Sequence, residues 1–129
     1  MIVEGNIIDK LKGEYKKYNE SAKAIREMSR PAITDRHQIA VAFGAMSALD
    51  VSKDAKLFVI LLLSSPSALA GCKMRNGLRK FISDMFEYNS PNAISNRCKD
   101  LYFRYKTYAK MQSEVGRSLD VIERILSLR

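Results

Sequence analysis

The fold is decided by residues 90–129, which read SPNAISNRCKDLYFRYKTYAKMQSEVGRSLDVIERILSLR. Ser90 is a residue type that caps helices, and proline at a first helical position, as at Pro91, loses no hydrogen bond. Only Gln112 interrupts the apolar side chains that follow, which recur at alternating steps of four and three: Ile94, Cys98, Leu101, Tyr105, Tyr108, Val115, Leu119, Ile122 and Leu126. That spacing is one face of an α-helix, so the stretch predicts one long C-terminal helix.

The same periodicity predicts helices through the rest of the chain. An amphipathic helix is expected over residues 7–29, and Thr34 is placed to cap a second helix. Ser52 is placed to cap a third helix over 53–64, whose unbroken apolar run predicts a central position. A fourth helix is expected over 73–86. We therefore predict a single all-α domain spanning 1–129, a five- to six-helix bundle with a tri-helical helix-turn-helix unit over 53–108 and a long C-terminal helix.

Positive charge is concentrated in one part of the chain. The formal net charge is +8, and residues 73–110 hold nine Lys or Arg against three Asp or Glu. A localised basic surface attracts polyanions by electrostatic steering and counterion release. The charge distribution therefore indicates a nucleic-acid partner.

The segment from Phe81 to Arg97 resembles the helix-turn-helix of bacterial DNA-binding regulators. In that class a short turn is followed by a Ser-Pro type of helix start, then a small residue, an aliphatic residue and polar residues. In this sequence the helix start is Ser90 and Pro91, and the residues that follow in this pattern are Ala93, Ile94, Ser95 and Asn96. Met85 and Glu87 stand where a small residue and a turn glycine are usual. The resemblance implies a DNA-binding function, as a transcriptional regulator or a mobile-element accessory protein, and assigns no specific family.

Helical geometry supplies candidate contacts for this function. At about 100° per residue, Asn92, Ser95, Lys99, Lys106 and Lys110 fall in one outward sector when Ile94 faces the core. Serine and asparagine near a helix start reach base edges, whereas lysine and arginine suit phosphates. The predicted base-reading residues are Asn92, Ser95, Asn96 and Lys99. The predicted phosphate contacts are Arg75, Arg79, Lys80, Lys106 and Lys110.

The apolar stripe continues beyond what a three-helix core needs. Its last residues predict a partner helix: Val115, Leu119, Ile122 and Leu126. The partner is either the helix at 7–29 folding back or the same tail of a second molecule, so 7–29 and 109–129 are candidate dimerisation helices. A homodimer would present two reading helices to two half-sites of duplex DNA.

Other classes of function have less in the sequence to support them. One histidine, His37, and two cysteines, Cys72 and Cys98, match no catalytic or zinc spacing, so we expect no enzyme, cofactor, metal or small-molecule substrate. The apolar run at 57–63 is too short to span a membrane, and a cytoplasmic location with reduced thiols is expected. The main alternative is a helical protein-interaction or structural module with a basic surface. A third is a single-strand or RNA binder that uses the aromatic residues near Phe103.

Overall fold

The computed structural model describes residues 31–71, 73–74 and 77–126, apart from the side chains of Ala70 and Lys99. Within these ranges the chain forms five α-helices and one 3₁₀ turn, and no strand. They are α1 (Arg36–Ser47), α2 (Lys53–Ser64), the 3₁₀ turn (Pro66–Ala70), α3 (Leu78–Met85), α4 (Asn92–Thr107) and α5 (Ala109–Leu126). The predicted all-α bundle is confirmed, and the helix predicted at 7–29 lies outside the described residues.

Helix α2 is the centre of the bundle, as its apolar sequence predicts. Every side chain from Leu57 to Leu63 is buried, and α1, α4, α5 and the 3₁₀ turn all pack against it. Ser52 caps it as predicted, since its hydroxyl accepts a hydrogen bond from the Ala55 N–H at 3.2 Å. Phe58 stacks on Tyr105 of α4 with ring centroids 4.6 Å apart, which fixes α4 against the central helix.

The start of α1 differs from the prediction by one residue. Asp35, not Thr34, is the N-cap, and its carboxylate accepts a hydrogen bond from the His37 N–H at 2.8 Å. Just before it, the Ile33 N–H donates to the Leu63 carbonyl at 3.0 Å, and the Ile33 side chain is buried. This contact attaches the entry to α1 to the end of α2.

Helix α3 is shorter than the predicted helix over 73–86. It begins at Leu78 because Gly77 has φ +80°, a left-handed conformation that cannot continue a helix. A Cβ atom at this position would lie 2.7 Å from Nη2 of Arg36, which is the end of a flexible side chain and can move, so it is the backbone conformation that favours glycine here.

The turn from α3 to α4 has a defined hydrogen-bond pattern. The Tyr88 N–H donates to the Ser83 carbonyl at 3.0 Å, and the Glu87 N–H donates to the Asp84 carbonyl at 3.1 Å. These two bonds make a Schellman motif, in which the residue after the cap is left-handed and usually glycine. Here that residue is Glu87, with φ +60°.

Helix α4 starts beside the predicted proline without the predicted serine cap. Pro91 precedes the first helical residue, and no side chain caps the helix. The Ser90 backbone carbonyl instead accepts a hydrogen bond from the Ala93 N–H at 3.1 Å. The position of the start was therefore predicted well, but its hydrogen bonding was not.

The single long C-terminal helix is the main error of the sequence prediction. Tyr108 is extended, with φ −107° and ψ 120°, and separates α4 from α5. The Gln112 side chain donates hydrogen bonds to the carbonyls of Tyr105 at 2.9 Å and Lys106 at 3.3 Å, so it satisfies carbonyl groups at the end of α4. Tyr108, which the apolar stripe places on the buried face of the predicted helix, is 54% exposed.

The predicted dimerisation stripe is partly buried within the chain itself. Helix α5 packs against α1 and α2, where Val115 and Ile122 are 2% and 0% exposed, and Leu119 and Leu126 pack at the edge of the same core. The break at Tyr108 lets α5 turn back onto the bundle. Val115 and Ile122 are therefore buried by helices of the same chain, whereas Leu119 and Leu126 are partly buried. Packing of the helix at 7–29 or of a second molecule against this stripe stays a prediction.

Candidate nucleic-acid interface

The outward face of α4 carries the predicted base-reading side chains. Asn92, Ser95 and Asn96 are all exposed in its first two turns. Phe103 lies on the same outer line, since residues four and seven apart share a helical face, and it is 62% exposed. The Lys99 side chain lies outside the described residues. This surface of α4 is called the outer face below.

Helix α3 lies beside one flank of the outer face. Nη1 of Arg79 donates a hydrogen bond to Oγ of Ser95 at 3.0 Å, which joins a predicted phosphate contact to a predicted base reader. Lys80 is exposed and pairs with Asp84, one turn along α3, at 3.1 Å. Surface pairs of this kind are weak, so the Lys80 ammonium exchanges readily with another anion. The third predicted cation on this side, Arg75, lies outside the described residues.

The two predicted lysines further along the chain do not stay together. Lys106 is on α4, with its Nζ 5.3 Å from the centre of the Tyr102 ring. Lys110 is on α5, because the helix breaks at Tyr108. It lines a polar cleft of about 390 Å³ with Asp50, Val51, Ser52, Ser113, Glu114 and Arg117. The prediction that Lys110 continues the outward sector of α4 is therefore wrong.

The opposite flank of α4 carries two arginines that the sequence prediction missed. Nη1 of Arg104 lies 2.7 Å from Oδ2 of Asp54, and Nη1 of Arg97 lies 3.3 Å from Oδ1 of the same carboxylate. The two arginines are seven residues apart and so share a helical face, which the spacing alone indicates. Their shared partner is at the start of α2 and was not evident from the sequence.

Tyr88 lies beside this arginine pair and is held by two cations. The Lys53 ammonium is 4.3 Å and the Arg97 guanidinium 4.9 Å from the centre of its ring. Its hydroxyl is buried and has no hydrogen-bond partner among the described residues. Burial raises the pKa of the Tyr88 hydroxyl, Arg97 opposes that rise, and Asp54 adds to it. Lys53 and Arg97 thus make cation–π contacts with the Tyr88 ring.

The described residues offer few groups for acid–base or metal chemistry. Burial raises the pKa of the Cys98 thiol from 9.0 to about 11, which keeps it protonated and unreactive at neutral pH. In the ranges that the structure describes, no group of three or more His, Cys, Asp or Glu residues is arranged to hold a metal ion. Those same ranges contain no helix with the length and apolar character needed to cross a membrane.

Comparison with known proteins gives no relative for this arrangement. No protein-family model, no curated protein and no solved structure matches the chain.

Proposed function

We propose that the chain binds duplex DNA through α3, the following turn and α4, as a transcriptional regulator or a mobile-element accessory protein. The first turns of α4 enter the major groove, where Asn92 and Asn96 meet base edges. Arg79 and Lys80 of α3 contact the phosphates on one side. A major groove about 12 Å wide accepts an α-helix of this diameter.

The hydrogen bond from Arg79 to Ser95 is the observation that carries this proposal. It holds a guanidinium group of α3 at the edge of the exposed polar face of α4. Base contacts specify a site and phosphate contacts position the protein, so a reading helix works with cations beside it. The 3.0 Å contact supports such a pairing between the two helices.

The α3–α4 turn gives a second line of support. Glu87 adopts a left-handed backbone conformation at the place where the helix-turn-helix resemblance puts a glycine. A left-handed residue there matches the backbone for which glycine is favoured. The residue type departs from the pattern, and the left-handed backbone at Glu87 is what supports the proposal at this turn.

Binding to a labelled duplex of about 20 base pairs, two helical turns, tests the proposal. Fluorescence anisotropy at several salt concentrations between about 50 and 200 mM should give a steep fall of affinity with salt. The variant Arg79→Gln/Lys80→Gln should bind more weakly and lower the salt slope by about 0.9 for each lost phosphate contact. Absence of binding by the wild-type chain at low salt would overturn the proposal.

The matched control is Arg124→Gln, which removes one exposed positive charge from the last turn of α5. It should leave the salt slope unchanged, because Arg124 belongs to α5 and is not part of the α3–α4 unit. The double variant removes two charges and the control one, so a loss in the control half as large as in the double variant would indicate a response to net charge alone.

A protein partner is the second candidate, because Phe103 is 62% exposed on the outer face. A large aromatic side chain surrounded by polar residues is a common anchor of protein–protein interfaces. Under this alternative, Phe103→Ala abolishes partner binding, and affinity depends little on salt. Salt dependence of binding therefore separates the two functions.

A further inference from the structure

The two sides of α4 each carry positive charge, and they face in opposite directions. Residues two apart on a helix are separated by about 200°, so Arg97 lies across the helix from Ser95 and Arg104 lies across it from Lys106. Arg79 touches Ser95 on one side, whereas Asp54 holds both arginines on the other. The flank with Arg97 and Arg104 is called the second flank below.

A helix in a major groove is bordered by a phosphate strand on each side. The groove is about 12 Å wide and the helix with its side chains is about 10–12 Å across, so both flanks come close to phosphates. The flank that Arg79 touches carries three cations: Arg79 and Lys80 of α3, and Lys106 of α4. Under the proposed function, the second flank has to meet the other strand, and its cations are Arg97, Arg104 and Lys53.

The second flank is already occupied by an anion from the chain itself. The Asp54 carboxylate receives one guanidinium group on each oxygen, at 3.3 Å and 2.7 Å. The side chains of both arginines are about half exposed, so solvent and a polyanion can reach them. The Asp54 side chain is 25% exposed, so the opening to solvent is mainly on the arginine side of the pairs. Phosphate accepts the same guanidinium hydrogen bonds as carboxylate, so a DNA backbone that reaches the two arginines can replace Asp54 as their partner.

We propose that Arg97 and Arg104 form a second phosphate-contacting surface, and that Asp54 competes with the DNA backbone for them. This inference rests on the proposed function. Binding breaks the two contacts to Asp54 and replaces the carboxylate with phosphate oxygens of the second strand. Asp54 therefore weakens binding to every duplex, and tight binding requires a backbone placed to reach both arginines together.

Two variants and their combination test this surface by fluorescence anisotropy with the labelled duplex. Asp54→Asn should tighten binding by about 3- to 10-fold, since the competing charge is removed. Arg97→Gln/Arg104→Gln should weaken binding and lower the salt slope by about 1.8, for two lost phosphate contacts. In the triple variant, the tightening caused by Asp54→Asn should disappear.

Asp120→Asn is the matched control, because it removes the same charge from an exposed position on α5 that pairs with no arginine among the described contacts. Thermal unfolding of each variant establishes that it is folded at the binding temperature. Equal tightening by Asp54→Asn and Asp120→Asn would overturn the inference, since only net charge would then matter.

The outcomes separate the inference from the proposed function. If the wild-type chain binds with a steep salt slope and Arg97→Gln/Arg104→Gln binds with the same slope, the proposed function stands and the second phosphate-contacting surface is excluded. If neither the wild-type chain nor any variant binds duplex, both the proposed function and the inference are excluded. Tightening that persists in the triple variant would also contradict the inference, because Asp54 would then act without the arginines.

Discussion

Glu114 completes the cap of α2, whose N-cap residue Ser52 lies 62 residues before it. Its two carboxylate oxygens accept hydrogen bonds from Ser52, one from the backbone N–H at 3.0 Å and one from the hydroxyl at 3.1 Å. In a capping box, a glutamate three residues after the cap makes the contact to the cap N–H. Here that position is Ala55, and α5 supplies the carboxylate instead. Glu114 is 6% exposed, so this contact joins α5 to the start of α2 inside the fold.

Removal of the Glu114 carboxylate should destabilise the chain. Glu114→Ala leaves the Ser52 N–H without this partner, and a loss of about 1–3 kcal/mol in the free energy of unfolding is expected. Glu114→Gln keeps one acceptor oxygen and should cost less. Urea unfolding measures both changes, with the exposed Asp120→Ala as control within about 0.5 kcal/mol of wild type. A loss no larger than that of the control would show that the contact contributes nothing.

Gln112 should be worth more to stability than an apolar residue at the same place. Gln112→Leu completes the apolar stripe, so a continuous helix would make it neutral or stabilising. The observed break predicts a loss of about 0.5–1.5 kcal/mol, because the side chain donates to the carbonyls of Tyr105 and Lys106 and is itself exposed. Gln112→Ala should lose a similar amount. Stabilisation by Gln112→Leu in urea unfolding would contradict the break.

Glycine should be better than glutamate at position 87. The left-handed backbone of Glu87 costs about 1–2 kcal/mol for a residue with a Cβ, and glycine avoids this cost. Glycine also gives the unfolded chain more conformational freedom, which offsets about 0.5–1 kcal/mol of the stabilisation. Glu87→Gly should therefore stabilise the chain by about 0.5–1 kcal/mol. Its control is Glu123→Gly, inside α5, which should destabilise by about 1 kcal/mol. Destabilisation by both changes would exclude the left-handed turn.

The Cys98 thiol should make stability fall at high pH. Its pKa is raised on folding from 9.0 to about 11, so below pH 9 the thiol is protonated in both states and its contribution is complete. As pH rises through this interval only the unfolded chain loses the proton, and unfolding becomes easier by an amount on the order of 1–2 kcal/mol. Urea unfolding at about pH 8 and about pH 10.5 should show a smaller decrease in Cys98→Ala than in wild type. Equal decreases would contradict a buried neutral thiol.

Local sequence pattern predicted those features that depend on neighbouring residues. The apolar run of α2, the cap at Ser52 and the helix start after Pro91 all follow from residues within one or two turns. The break at Tyr108 was missed because the steps of three and four continue across it, although Gln112 interrupts the stripe and its side chain bonds to carbonyls at the end of α4. The interruption was the available signal, and its meaning depends on backbone carbonyls seven and six residues earlier, across the break.

The candidate interface was predictable in part for the same reason. Helical spacing placed Asn92, Ser95 and Asn96 on one exposed face, and the structure agrees. The contact between Arg79 and Ser95 and the attachment of two arginines to Asp54 depend on how helices meet in space. Periodicity states which face a residue occupies, but it does not state what lies opposite that face.

The most direct test of the DNA-binding account is an NMR titration of isotope-labelled chain with duplex of about 20 base pairs. The account predicts the largest shifts at the side-chain amides of Asn92 and Asn96 and at the backbone amide of Ser95, with little change in α5. Shifts confined to the cleft around Lys110, or no shifts at low salt, would contradict it.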